Sequence, residues 1–113
     1  MTIQEAMREV RMKNRQAERR KGVRSEDFVD NALDLLAKNG QITTFWHGSY
    51  QEDQDGVDFR IQMVDGTEKD LQVKSSLYYM TRFKIYHPFI PCIVVNPDEN
   101  ITSLSKRLWY LIR

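Results

Sequence analysis

Residues 57–74, VDFRIQMVDGTEKDLQVK, alternate apolar and polar side chains on both sides of an Asp-Gly turn, a pattern that permits little besides a β-hairpin. Val57, Phe59, Ile61 and Met63 alternate with Asp58, Arg60 and Gln62, and Leu71 and Val73 alternate with Asp70, Gln72 and Lys74. Each strand therefore has one apolar and one polar face, and a slip of one residue would turn every side chain over. A two-residue turn at Asp65-Gly66 would set Asp58 across from Val73 and oppose the two apolar faces. A three-residue loop, Asp65-Gly66-Thr67, with Gly66 free to take positive φ, aligns them. Asp58 then shares a face with Gln72 and Lys74. A solvated hairpin surface is the ordinary reading of such a polar triplet.

Composition narrows the setting. At 113 residues the chain is expected to form one domain, with residues 1–21 as a basic N-terminal arm and residues 22–113 as the α/β body. Cys92 is the sole cysteine, which excludes an internal disulfide, and its neighbours Ile93, Val94 and Val95 make it a core thiol rather than a nucleophile. No apolar run approaches a membrane span, and the Arg-rich start lacks the apolar centre of a secretion signal, so the expectation is a soluble, cytoplasmic protein. Net charge is only +1, yet residues 1–24 carry eight basic groups against three glutamates, leaving that segment at +5 and the remainder at −4. Such asymmetry suits an arm that contacts phosphates, although a solvated helix explains a mixed basic run equally well.

The periodicities predict an order of elements. Residues 2–19 contain helix formers with a thin apolar stripe of Ile3, Met7 and Val10. Gly22 is expected to break that helix and Ser25 to cap a stronger one, whose Phe28, Val29, Ala32, Leu35 and Leu36 recur at helical spacing until Gly40. Ile42–His47 read as a strand, and residues 48–56 as a polar loop before the hairpin. Leu77–Tyr86 fit either a short helix or an irregular crossover. Ile93-Val94-Val95, bracketed by prolines, read as an interior strand, and Ile101, Leu104, Leu108, Leu111 and Ile112 as a closing amphipathic helix.

Helix, three strands, crossover, strand and helix in that order resemble the αβββαβ core of the PD-(D/E)XK (restriction-endonuclease-like) nuclease superfamily. Arg20-Lys21-Gly22 followed by Glu26 is similar to the start of archaeal Holliday junction resolvases, and Gln72 in place of a glutamate before the lysine resembles Mrr-like restriction nucleases. The resemblance covers roughly residues 20–96. It implies a mixed central sheet flanked by helices and a Mg2+- or Mn2+-dependent endonuclease acting on DNA, with no organic cofactor and no membrane partner.

A phosphodiester is shielded by its own charge, so its hydrolysis needs neutralised oxygens and an activated water, both of which a divalent metal supplies. Asp58 offers a carboxylate, Gln72 a neutral carbonyl and Val73 its main-chain carbonyl, which are hard oxygen donors suited to magnesium. Lys74 is assigned beside the attacking water or the scissile phosphate, and Glu26 as a further acid reaching the metal through water. Arg19, Arg20, Lys21, Arg24, Ser75 and Ser76 are the candidate DNA contacts. Tyr78, Tyr79, Arg82 and Lys84 interleave rings and cations as single-strand binders do, though core packing accounts for the tyrosines. Asp53 and Asp55 are candidate support for the metal, with a solvated turn as the default. His47 and His87 are isolated from any cysteine pattern and are expected to be structural. Branched or distorted duplexes are the expected substrate, since so short a chain has little surface for reading sequence. Cutting both strands requires two sites, hence a homodimer. The competing reading is a catalytically inactive relative that binds nucleic acid or protein, for which the Gln72 substitution is the sign. A third is an interaction domain with no nucleic-acid partner.

Overall fold

A computed structural model describes residues 2–113, the side chains of residues 9–23 and of Asp53 excepted. Four helices and a four-stranded mixed sheet follow in the order α1 (Ile3–Lys38), β1 (Ile42–His47), α2 (Tyr50–Gln54), β2 (Phe59–Met63), β3 (Glu68–Lys74), α3 (Leu77–Tyr86), β4 (Cys92–Val94) and α4 (Ile101–Ile112). The strands lie in sequence order, with β1, β2 and β3 antiparallel and β4 parallel to β3.

The hairpin keeps the expected parity but not the expected loop. Phe59 pairs with Leu71 and Gln62 with Glu68, so the three loop residues are Val64-Asp65-Gly66. Gly66 N–H closes a turn on the Met63 carbonyl at 2.9 Å, and Gly66 takes φ +89°, the left-handed residue that follows the turn in such a loop. Asp65 then caps from within, its carboxylate accepting from the Thr67 N–H and hydroxyl, contacts that lower its pKa. Shifting the register by two residues leaves the apolar faces aligned, and the regular pairing ends at Phe59–Leu71, one residue after Asp58.

Phe59, Ile61, Leu71, Val73, Ile93 and Val95 form the apolar side of the sheet, packed under Val29, Ala32, Leu33 and Leu36 of α1 and Leu104, Leu108 and Ile112 of α4. Each fully buried aliphatic or aromatic side chain contributes about 1.5–3 kcal/mol. Leu33 takes a core position that the helical spacing had given to Leu35, which is only half-buried. The crossover is a helix, α3, lying over the polar face of β3 and β4.

Three further expectations are corrected. Gly22 does not end a helix: α1 runs unbroken through it, and Ser25 sits buried inside rather than capping a start. A single glycine costs about 1 kcal/mol against alanine in a helix interior, too little to outweigh the packing that follows it. The true cap is Thr2, which forms a capping box with Glu5. Within the polar loop, α2 forms behind a similar reciprocal pair, with the Ser49 hydroxyl accepting from Glu52 N–H and the Glu52 carboxylate from Ser49 N–H. Finally, the apolar β4 is an edge strand rather than an interior one. Its apolar character comes from helices on both faces, and its outer border is covered by Arg107 of α4, whose guanidinium donates twice to the Val94 carbonyl.

Candidate active site

Asp58 sits at the bend where β2 begins, and its position is fixed from three sides. Gly56 turns the chain at φ +93° against Phe83 of α3, so closely that a Cβ there would lie 2.8 Å from that ring. Gly48 N–H donates to the Asp58 carbonyl at 2.9 Å, which ties the bend to the end of β1. Asp58 N–H donates to the Leu71 carbonyl, one residue out of step with the Phe59–Leu71 pairing, so two residues face one as at a bulge. The offset frees the Val73 N–H from the ladder, and the Asp58 carboxylate takes it at 2.8 Å through Oδ2. Asp58 is only 8% exposed.

Gln72 is buried as deeply, at 7%, and among the described residues its Oε1 has no hydrogen-bond partner. A buried carbonyl left unpaired costs about 1–3 kcal/mol, so its retention requires a reason. Its own N–H is spent on the Pro91 carbonyl, toward β4, whereas the Val73 N–H points toward Asp58. In an extended strand a residue's N–H and C=O face the same neighbour, so the Val73 carbonyl lies on the Asp58 side. Two residues on, half-buried Lys74 places its ammonium 5.2 Å from the centre of the Phe83 ring, and that ring stacks on His87. The α3 helix thus roofs the polar face at the Gln72–Lys74 end.

Cys92 pairs with Gln72 across the parallel ladder and emerges on the same face. Burial pushes its thiol up to about 11, Lys74 and Lys84 oppose the rise, and the Asp58 carboxylate adds to it. Carboxylate, ammonium, amide and thiol therefore share one patch of sheet. The expected core thiol is buried, but on the polar side.

The remaining candidates lie on other elements or beyond the end of β3. Glu26 rides α1, which packs on the apolar side of the sheet, while the Asp58–Gln72–Lys74 patch lies under α3. Ser76 is the N-cap of α3, its hydroxyl accepting from Tyr79 N–H, which gives it a structural duty. Ser75 and Arg24, distant in sequence, line one cavity. Arg19, Arg20, Lys21 and Asp53 lie outside the residues whose side chains are described. On α3, Arg82 stacks over Tyr78, and Lys84 bonds the Pro88 and Ile90 carbonyls, holding the loop into β4. Sequence reading missed two groupings. His47 pairs with Asp30 at 2.9 Å against Phe59, and Arg60 gathers Glu52, Glu68 and Asp70 within 3.4 Å. The second was legible: Arg60, Glu68 and Asp70 alternate on the polar face of the hairpin.

Among the described residues no three His, Cys, Asp or Glu side chains cluster as a metal site. The donors at the Asp58 patch are instead one carboxylate, one amide oxygen and one main-chain carbonyl, all hard oxygens, and the orphaned Gln72 Oε1 is the group that a cation would satisfy. Comparison with family models, characterised proteins and solved structures finds no match to this chain.

Proposed function

We propose that the chain is a metal-dependent endonuclease of DNA, of the PD-(D/E)XK kind, acting on branched or distorted duplexes. The observation that carries this reading is the buried Gln72 Oε1, without a hydrogen-bond partner among the described residues, two residues before Lys74 and next to Val73, whose N–H the Asp58 carboxylate takes. The αβββαβ order of elements, with three antiparallel strands followed by a parallel one, supports it. Asp58, Gln72 and the Val73 carbonyl would hold a magnesium or manganese ion, which supplies charge neutralisation and an activated water. Lys74 orients the scissile phosphate and offsets charge on its oxygens, and the Phe83 ring 5.2 Å away gives its ammonium a neighbour. Hydrolysis joins a water oxygen to phosphorus and releases the other ester oxygen as an alcohol.

The test is nicking of supercoiled and four-way-junction DNA with magnesium or manganese. Asp58→Asn and Lys74→Met are expected to lower the rate by about 10²–10³. Gln72→Glu, which adds a negative charge to the donor set, should lower the metal concentration needed for half-maximal nicking. Nicking that persists in both Asp58→Asn and Lys74→Met removes the assigned site.

A second reading has its own support. Asp58 and Gln72 are more than nine-tenths buried, and the Asp58 carboxylate already serves the Val73 N–H. A site with a single carboxylate that also braces the sheet suits an inactive relative that binds DNA without cutting it. Metal-independent binding with no nicking at any magnesium or manganese concentration selects this reading.

A further inference from the structure

At the end of β3 the chain divides its duties between the two faces of the sheet. Lys74 stays with the polar patch, and Ser75, one Cα step of about 3.8 Å further on, turns to the α1 side. There a cavity of about 220 Å³ opens between α1 and the carboxyl ends of the parallel strands β3 and β4. The crevice beyond the carboxyl ends of parallel strands is where α/β sheets commonly seat ligands. One bare ion or water needs only about 10–15 Å³ of such space.

The walls are of two kinds. Phe28, Val95 and Pro97 supply an apolar and aromatic surface. Arg24, Ser25, Ser75 and Asn96 supply one cation, two hydroxyls and an amide, and none of these four side chains makes a hydrogen bond or ion pair with another described residue. Ser25 is nonetheless buried, inside a helix where a serine hydroxyl could have bonded back to the chain. A planar ring with polar edges, attached to an anion, satisfies all of these at once.

We propose that the cavity receives a single unpaired nucleotide of the DNA strand, adjacent to the phosphodiester held at Lys74. The base lies on the Phe28 side, its edge meets Asn96 and the serine hydroxyls, and its phosphate meets Arg24. The inference rests on the endonuclease reading, and it names the substrate feature that reading leaves open: a strand with an extrahelical base.

The experiment measures binding to a duplex carrying a one-nucleotide 2-aminopurine bulge and to the fully paired duplex, in EDTA so that no strand is cut. Wild-type protein should favour the bulged duplex by about tenfold, the scale of one base stacked on an aromatic ring, with a change in 2-aminopurine fluorescence. Arg24→Ala combined with Asn96→Ala, both at exposed positions, should bring the ratio of the two affinities to within about twofold while thermal unfolding is unchanged. Phe28 is left intact because it also packs on the core. Equal affinities in the wild type, or a preference that survives the double substitution, overturn the proposal. Bulge preference without nicking in magnesium keeps the cavity and removes the catalytic reading. Nicking without bulge preference does the reverse.

Discussion

Asp58 has two roles that substitution can separate. Removing its carboxylate leaves the buried Val73 N–H without an acceptor, at a cost of about 1–3 kcal/mol. Asp58→Ala is therefore expected to lower the midpoint of chemical denaturation, whereas Asp58→Asn, which keeps an acceptor oxygen, should unfold near the wild type while losing metal-dependent nicking. An alanine variant that unfolds with the wild type would show that the hydrogen bond contributes nothing. Cys92 offers a second measurement. Its pKa is raised from 9.0 to about 11, so the stability from keeping the thiol neutral is whole below pH 9.0 and is lost as pH rises toward about 11. Alkylation of the folded protein at pH 8 should be about 100-fold slower than in urea, two pKa units of thiolate population. Equal rates would place the thiol in water. The sequence revealed that Asp58, Gln72 and Lys74 share a face, because period-two alternation fixes parity. It did not reveal that Asp58 braces Val73, since that bond depends on where the ladder between β2 and β3 falls out of step.

At the level of elements, the parity of the hairpin, the strand character of β1 and the closing helix are legible because each has a period and a stop signal. The failures have physical causes. Gly22 has only roughly 1 kcal/mol with which to break a helix, and the Ser49-x-x-Glu52 signature of α2 lies in a stretch that otherwise reads as loop. The apolar β4 was placed inside the sheet because burial on two faces leaves the same trace as burial between two strands. The packing of α3 on the bend before β2 gives an element-scale prediction. Gly56→Ala combines a disfavoured φ of +93° with a Cβ 2.8 Å from the Phe83 ring, so the ring, or α3 with it, must shift. A loss of about 1–3 kcal/mol is expected, read by thermal unfolding, with slower nicking because Lys74 loses its aromatic neighbour. Unchanged unfolding would mean that the ring moves aside freely.

Across the whole molecule, charge and apolar surface are unevenly spread. Residues 1–24 carry +5 and the rest −4, so a polyanion would be attracted most strongly to the N-terminal end of the chain. Replacing Arg19, Arg20 and Lys21 together by Gln should flatten the dependence of log affinity for duplex DNA on log salt by about 0.9 for each phosphate that is no longer neutralised. A slope equal to the wild type would exclude those three side chains from the interface. No helix among the described residues is long and apolar enough to cross a membrane. Exposed apolar side chains gather instead on and after α3, where Leu77, Ile85, Tyr86 and Phe89, the last 95% exposed, face outward. The hold of Arg107 on the Val94 carbonyl has a consequence for assembly. A visiting β-segment, whether from a peptide or from another copy, would have to displace that guanidinium to reach the Val94 carbonyl. Lateral growth of the sheet across β4 is thereby opposed at its first step.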